Sequence, residues 1–279
     1  MNYKIVSDSS SNILTLDGVS YASVPLKINT SAKEYVDDSS LDVAAMVADL
    51  RTVKGRTGTS CPNVQEWQDA MRGADGVFAV TITSGLSGSY STAVQAKNDL
   101  IADLPEKKIA VIDSLSAGPE LQLLIERMRE DILAGKTFEE IETEVRDYQK
   151  RTHLIFALES MTNLARNGRV NPVVAKLAGV LGIRVVGVAS EKGTLEVLHK
   201  PRGRDKMLNT IYDVMKDKKY AGGKVRIAHC LNPEAAKDLE SMIRAQFPDA
   251  DIELLPTTAL CSFYAEEGGL MIGFESAAQ

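Results

Sequence analysis

Cysteine and histidine are scarce in this sequence, and neither is arranged for metal or disulfide chemistry. The three cysteines (Cys61, Cys230, Cys261) are an odd number at wide spacing, and the three histidines (His153, His199, His229) form no pair at metal-ligand spacing. No disulfide framework, structural zinc or other cofactor is therefore expected. Long apolar runs are missing as well. The most apolar stretch, Val173 to Ala189, is interrupted by Lys176 and Arg184, short of the roughly 18 apolar residues that a spanning helix needs. The first residues, Met1-Asn2-Tyr3-Lys4-Ile5-Val6-Ser7, turn polar too early for the apolar region of a signal peptide. The cytoplasm is the expected compartment, without integral membrane association. No block of five or more like charges occurs, and the net charge of −6 with a pI near 5.3 argues against a general nucleic-acid binder, which would be basic.

What is present fits a folded globular chain. At roughly 150 residues per domain, 279 residues give about two domains, and 44% hydrophobic with 25% charged residues lies near the average for soluble folds. The first half alternates short β-branched apolar runs with amphipathic stretches, the habit of an α/β domain with a largely parallel sheet. Strands are expected at Tyr3 to Ser7, Val19 to Leu26, Gly76 to Ile82 and Lys108 to Asp113, with helices at Leu41 to Lys54, Asn63 to Arg72 and Ser89 to Ala102. Leu121, Leu124, Ile125, Met128 and Ile132 line one face of a further helix, and Thr137-Phe138-Glu139-Glu140 is a capping box opening another to about Arg151. These two helices read as a bridge.

Beyond them the pattern changes to an α+β half. Strands are expected at Leu154 to Leu158, Ile183 to Ala189, Thr194 to His199, Lys224 to Cys230 and Asp251 to Leu255. Helices are expected around Met161 to Asn167 and at Pro172 to Leu181, Lys206 to Lys218 and Pro233 to Phe247. We place the division near residue 150: an N-terminal α/β domain over 1–150 carrying the binding loops, and a C-terminal α+β domain over 151–279.

The clearest chemical feature is Thr83-Ser84-Gly85-Leu86-Ser87-Gly88-Ser89 between an apolar strand and a helix. Hydroxyls, close-approach glycines and free amides at a helix start suit an anionic oxygen at a sheet edge where α/β folds bind ligands. It lacks the Gly-Lys-Ser/Thr ending of a nucleotide loop and the three-glycine spacing of a dinucleotide fingerprint. Gly58-Thr59-Ser60-Cys61-Pro62 offers two hydroxyls and a thiol before the next helix, and Asp8-Ser9-Ser10-Ser11 is a third polar turn. Each also reads as plain capping or loop ordering. Asn167-Gly168-Arg169-Val170 and Pro201-Arg202-Gly203-Arg204 present guanidinium groups able to grip a carboxylate or phosphate, or simply to be solvated. The helical stripe from Leu121 could wall an acyl tunnel or be ordinary core.

Taken in order, these segments resemble the DegV family of bacterial fatty-acid-binding proteins over almost the whole chain. Lys4-Ile5-Val6-Ser7-Asp8-Ser9 is similar to the family's opening strand and turn, and Thr59-Ser60-Cys61-Pro62 to its Thr-Ser-x-Pro loop, with Cys61 where glutamine is common. Thr83 to Ser89 is similar to its Ser-Gly-Leu-Ser-Gly-Thr loop. Val111-Ile112-Asp113-Ser114, Asn167-Gly168-Arg169-Val170, Arg202-Gly203-Arg204 and Ile227-Ala228-His229-Cys230-Leu231-Asn232-Pro233-Glu234 follow in register.

The resemblance implies a two-domain α/β protein holding one long-chain fatty acid between its domains, tail buried, and presenting the carboxylate to a partner fatty acid kinase without doing chemistry itself. It implies Thr59, Ser60, Ser84, Gly85 and Ser87 at the carboxylate, and Arg169, Arg202 and Arg204 at a surface for the kinase. Many members carry a Gly-Thr-His segment near the C-terminus; here the stretch reads Cys261-Ser262-Phe263-Tyr264-Ala265, Phe263 cannot donate the histidine's bond, and Ser262 or a water replaces it unless the head group differs. The rival reading is a serine hydrolase or acyltransferase in which Ser84 or Ser87 attacks and His229 or Asp8 assists. A third is a sensor whose ligand changes its choice of partner.

Overall fold

The computed structural model describes residues 2–175 and 182–277. Its first half contains β1 (Tyr3–Asp8), β2 (Ser20–Val24), β3 (Lys27–Thr30), β4 (Glu34–Val36), α1 (Val43–Thr52), β5 (Thr57–Ser60), α2 (Val64–Met71), β6 (Gly76–Thr81), α3 (Ser89–Asp103), β7 (Lys108–Asp113), α4 (Pro119–Leu133) and α5 (Phe138–Gln149). Four of the strands form a parallel sheet in the order β2-β1-β6-β7. Every residue of β6 is buried, because helices cover both faces of the sheet. Along this strand Phe78 and Val80 enter the core beneath α4 and α5, while Val77 and Ala79 meet Trp67 and Met71 of α2 and Ala93, Ala96 and Leu100 of α3, the period of two that a pleated strand imposes. The stripe Leu121, Leu124, Ile125 and Met128 packs on Ile5 and Phe78; it is core and walls no tunnel. The Thr137 capping box forms, Glu140 Oε2 accepting the Thr137 N–H at 2.8 Å.

The second half contains β8 (Thr152–Leu158), α6 (Thr162–Arg166), α7 (Pro172–Ala175), β9 (Val185–Ala189), β10 (Leu195–His199), α8 (Arg204–Asp217), β11 (Val225–His229), α9 (Pro233–Gln246), β12 (Ile252–Pro256), α10 (Ala259–Ala265) and β13 (Leu270–Glu275). The helix expected over Pro172 to Leu181 is described as far as Ala175; the rest of it lies outside the described residues. The strands form a six-stranded mixed sheet, β10-β9-β8-β13-β11-β12, in which β11 and β12 run parallel and the other neighbours antiparallel. Ile155 and Ala157 of β8 face α8 and α9, and Leu154, Phe156 and Leu158 face the first half. Phe156 stands opposite Gly187 in the ladder, where a Cβ would come within 2.3 Å of both its Cζ and the Glu196 carbonyl oxygen. Gly187→Val is expected to lower stability by about 2–3 kcal/mol through overpacking against backbone; an unchanged thermal melt would show that Phe156 and β10 yield.

Three elements were not foreseen: the antiparallel sheet β4-β3-β5, helix α10 and strand β13. The small sheet and α10 bring the halves together. Ile28, Tyr35, Met46 and Val47 share one core with Phe156, Leu158 and Phe263, so packing runs across residue 150. On the opposite side α4 lies against β13, where Gly273 lets the Pro119 backbone approach; a Cβ there would be 2.5 Å from it. Arg226 of β11, 5% exposed, donates to Glu126 of α4 at 2.7 and 2.8 Å and to Asp251 at 3.0 Å. Thr152 donates to the buried Glu120 at 2.8 Å, whose carboxyl burial pushes up to about 7.

Candidate functional site

An apolar cavity of about 80 Å³ lies between loops of the first half and the β8 face that carries Leu154, Phe156 and Leu158. Its floor is Leu154, Phe156 and Leu158 of β8 with Met271 of β13 and Leu195 of β10. The alternation of β8 puts these three residues on one face. A second wall is α10, whose Leu260, Cys261, Tyr264 and Ala265 fall on one helical face at spacings of one, three and one. Leu26, Ile82, Leu86 and Ala117 come from the first half, and Leu164 from α6. The polar side chains on this surface are Thr59, Ser87, Arg169 and Tyr264, beside the thiol of Cys261.

Thr59, Tyr264 and Arg169 stand together, and Ser87, whose Oγ accepts the Ser89 N–H at 3.3 Å, follows the residue that Arg169 bonds. Thr59 Oγ1 and the Tyr264 hydroxyl share a hydrogen bond of 2.7 Å. The Arg169 charge acts on Tyr264, and Arg169 Nε donates to the Leu86 carbonyl at 3.0 Å, next to Ser87. The two polar segments also touch directly: Thr92 Oγ1 donates to the Pro62 carbonyl at 2.9 Å, and a Cβ on Gly88 would lie 3.2 Å from Cys61 Sγ. Burial raises the Tyr264 hydroxyl above its usual range, against the Thr59 hydrogen bond; at neutral pH it is a neutral donor.

Local structure decides which expected residues reach the cavity. Thr59 and Ser60 sit in strand β5 rather than in a turn, so their side chains diverge: Thr59 faces the cavity, and Ser60 Oγ accepts from Asn29 at 3.2 Å. In the Thr83 loop, Ser87 lines the cavity, whereas Ser84 and Gly85 are exposed. Four amides of the loop are used internally: Ser84 N–H donates to Asp113, Gly85 N–H to Thr83 Oγ1, and Leu86 and Ser87 N–H to the Thr83 carbonyl. Ser262 is buried on the far side of α10, bonded to Thr257 Oγ1 at 2.7 Å, and Phe263 packs in the core. Tyr264, one residue beyond Phe263, brings the hydroxyl of this stretch to the cavity, between Cys261 and Ala265.

The arginines part company. Arg169 is half-buried at the cavity, Arg202 is exposed, and Arg204 pairs with Asp238 at 2.5 Å. Asp8 orders loops. Fully buried, it accepts Ser10 N–H and Oγ on one oxygen and Ile82 N–H and Ser89 Oγ on the other. His229 Nδ1 accepts the Asn232 N–H at 3.3 Å, and burial lowers its pKa. Among the described residues no hydrogen bond joins His229 or Asp8 to Ser84 or Ser87. Burial pushes the Cys261 thiol well up, and it donates to the Ser10 carbonyl, the opposite of a nucleophile's surroundings. No cluster of metal-ligating side chains and no helix long and apolar enough to cross a membrane occurs among the described residues.

The family model described as "Uncharacterised protein, DegV family" matches residues 2–277. A DegV domain-containing protein of Streptococcus pneumoniae is 42% identical, with 99% of each chain covered, and one of Streptococcus pyogenes serotype M1 is 41% identical over 99% of this chain and 100% of its own. Among solved structures, the Streptococcus pneumoniae Fatty Acid Kinase (Fak) B3 protein loaded with linoleic acid superposes with a TM-score of 0.97 at 42% identity, covering 99% of this chain and 100% of its own. A Eubacterium eligens DegV family protein loaded with heptadecanoic acid gives a TM-score of 0.97 at 40% identity, with the same coverage.

Proposed function

The chain belongs to the DegV family, and on that premise we propose that it binds one long-chain fatty acid, tail in the apolar cavity and carboxylate at Thr59, Ser87, Tyr264 and Arg169. The observation that carries this reading is the asymmetry of the cavity: leucines, Phe156 and Met271 over most of its surface, and three hydroxyls with one guanidinium at one place. Such a cavity matches an amphiphile with a single acidic head. Hydroxyl and guanidinium donors satisfy a carboxylate without a metal, each charge-assisted bond contributing about 1.5–3 kcal/mol. The fatty acids bound by the Streptococcus pneumoniae and Eubacterium eligens proteins support the same class of ligand.

The finer reading is that this chain is a carrier: it presents the carboxylate to a fatty acid kinase, which supplies the phosphoryl chemistry. The name of the Streptococcus pneumoniae relative supports that partner class. In this reading the two halves dividing near residue 150 enclose the acid, Arg202 and Arg204 belong to the docking surface, and half-buried Arg169 links that surface to the head group. Ser60 and Ser262 lie behind the contacting residues, and Ser84 and Gly85 stand exposed in the loop that carries Ser87.

Native mass spectrometry after mild purification tests the proposal: one C16–C18 acid per chain is expected, and wholly ligand-free protein that also takes up no added oleic acid overturns it. Tyr264→Phe and Thr59→Val are each expected to weaken oleic acid binding about tenfold or more, corresponding to one lost hydrogen bond to a charged group. Calorimetric titration of delipidated protein reads the loss. Unchanged affinity in both variants would move the head group elsewhere.

A further inference from the structure

Helix α10 supplies one wall of the cavity, yet its own sequence gives it little reason to form. It is seven residues long, almost wholly buried and without a cap from its own N-cap residue, Thr258; so short a helix is marginal by itself. Its start is held by a residue more than two hundred positions away. Asp37, which follows β4 and is 1% exposed, accepts the Ala259 N–H on Oδ1 at 2.7 Å and the Leu260 N–H and Thr258 Oγ1 on Oδ2 at 3.0 and 3.3 Å. The Asp37 backbone donates to the carbonyl of Leu26, a cavity residue, at 2.9 Å. Near the other end of α10, Tyr264 meets Thr59 of β5. The helix is thus fastened near its end to β5 and at its first two amides to Asp37, beside the bonds that Thr258 makes to Asn12 and to the Ser9 carbonyl.

We propose, resting on the fatty-acid reading above, that Asp37 is a positioning residue for ligand retention: by fastening the start of α10 it holds the wall bearing Leu260, Cys261 and Tyr264 closed over the bound acid. The carboxyl does not touch the ligand. Its surroundings give it a second property. Burial pushes its pKa up to about 6, against the hydrogen bonds from α10, Thr258 and Ser9. The titratable group beside it is the Cys261 thiol of α10, which also feels the buried Asp8 at the end of β1; among the described residues no cation pairs with it. In an opened state the carboxyl meets water and returns toward its ordinary value of 3.8. The closed state therefore binds the proton more tightly, and closure strengthens as pH falls through 6.

The test is the release of ligand from preloaded protein into excess serum albumin, using oleic acid and, to remove the ligand's own titration, oleyl alcohol. Asp37→Ala, which leaves the Ala259 and Leu260 N–H groups without their acceptors, is expected to release oleic acid at pH 7 at least tenfold faster than wild type. With oleyl alcohol, wild-type release is expected to slow about tenfold from pH 7 to pH 5, as the two pKa values dictate, while the variant's profile stays flat. The wild-type profile stands even where the variant folds poorly. Equal release rates, a flat wild-type profile, or one profile shared by both proteins overturns the proposal for Asp37 alone. Wild-type protein that takes up neither probe overturns the fatty-acid reading as well.

Discussion

Asp8→Ala is expected to cost about 3–5 kcal/mol of stability and to lower the melting temperature of the unliganded protein by roughly 10 °C. The carboxylate has no exposed surface and gathers two main-chain donors, Ser10 and Ile82, and two hydroxyls, Ser10 and Ser89. Alanine leaves these donors facing each other across a void with no acceptor, and unsatisfied buried donors cost more than the bonds themselves contribute. Asp8→Asn is the informative companion. Its carbonyl can serve Ile82 and Ser89 while its amide donates to Ser10 Oγ, so most of the network survives. Burial raises the Asp8 pKa, so the folded chain holds this proton more tightly than the unfolded one. That contribution is full below the ordinary value of 3.8 and is lost as pH rises through the raised one. The neutral asparagine keeps an acceptor for Ile82 and Ser89 and is expected to lose much less than the alanine. An alanine variant melting within 2 °C or so of wild type would show that the three segments hold one another without the carboxylate.

The same residue shows how the sequence could be read and where reading stopped. Asp8 follows a strand of buried-core type and precedes three serines, so loop ordering was legible from local chemistry. Its partners at 82 and 89 were not, because they depend on how β6 lies beside β1. Strands β1, β6 and β7 and helices α2 to α5 announce themselves by β-branched runs, capping residues and a 3.6 period. Strand β13 does not. It is central, apolar on both faces and interrupted by Gly273, a glycine required by the approach of Pro119. Strands β3 and β5 carry Thr, Asn, Gly and Ser with no apolar alternation; they hold their place because Ile28 and neighbouring side chains share a core with the second half. Helix α10 is capped from position 37, a contact with no local trace.

For the site, composition was legible and orientation was not. Both hydroxyl-rich segments adjoin the cavity, but only register shows that Thr59 and Ser87 face it while Ser60 and Ser84 turn away. A strand reverses its side chains at every step, so one residue of uncertainty exchanges inside for outside. The C-terminal segment repeats the lesson on a helix. One step along α10 carries the chain from Phe263, in the core, to Tyr264, at the cavity.

Chain length is expected to govern affinity more strongly than any single polar contact. If the acyl tail lies against Leu154, Phe156, Leu158, Leu195, Leu260 and Met271, each methylene withdrawn from water contributes about 0.8 kcal/mol. Palmitic acid is then expected to bind laurate-displacing sites about 200-fold more tightly than lauric acid does, four methylenes giving roughly 3 kcal/mol. Displacement of a fluorescent fatty acid from delipidated protein measures this directly. The series is expected to climb by about 15-fold per two carbons and to level off once the tail fills the cavity. The polar end makes a separate prediction on the same plot. Tyr264→Phe and Thr59→Val remove a bond whose strength does not depend on the tail, so each is expected to displace the whole line by a constant factor and leave its slope alone. A slope near zero would mean that the tail lies in water and that head-group contacts alone hold the acid. A slope that changes with the head-group variant would mean that the acid shifts along the cavity when one anchor is lost, which ties the two ends of the site together mechanically.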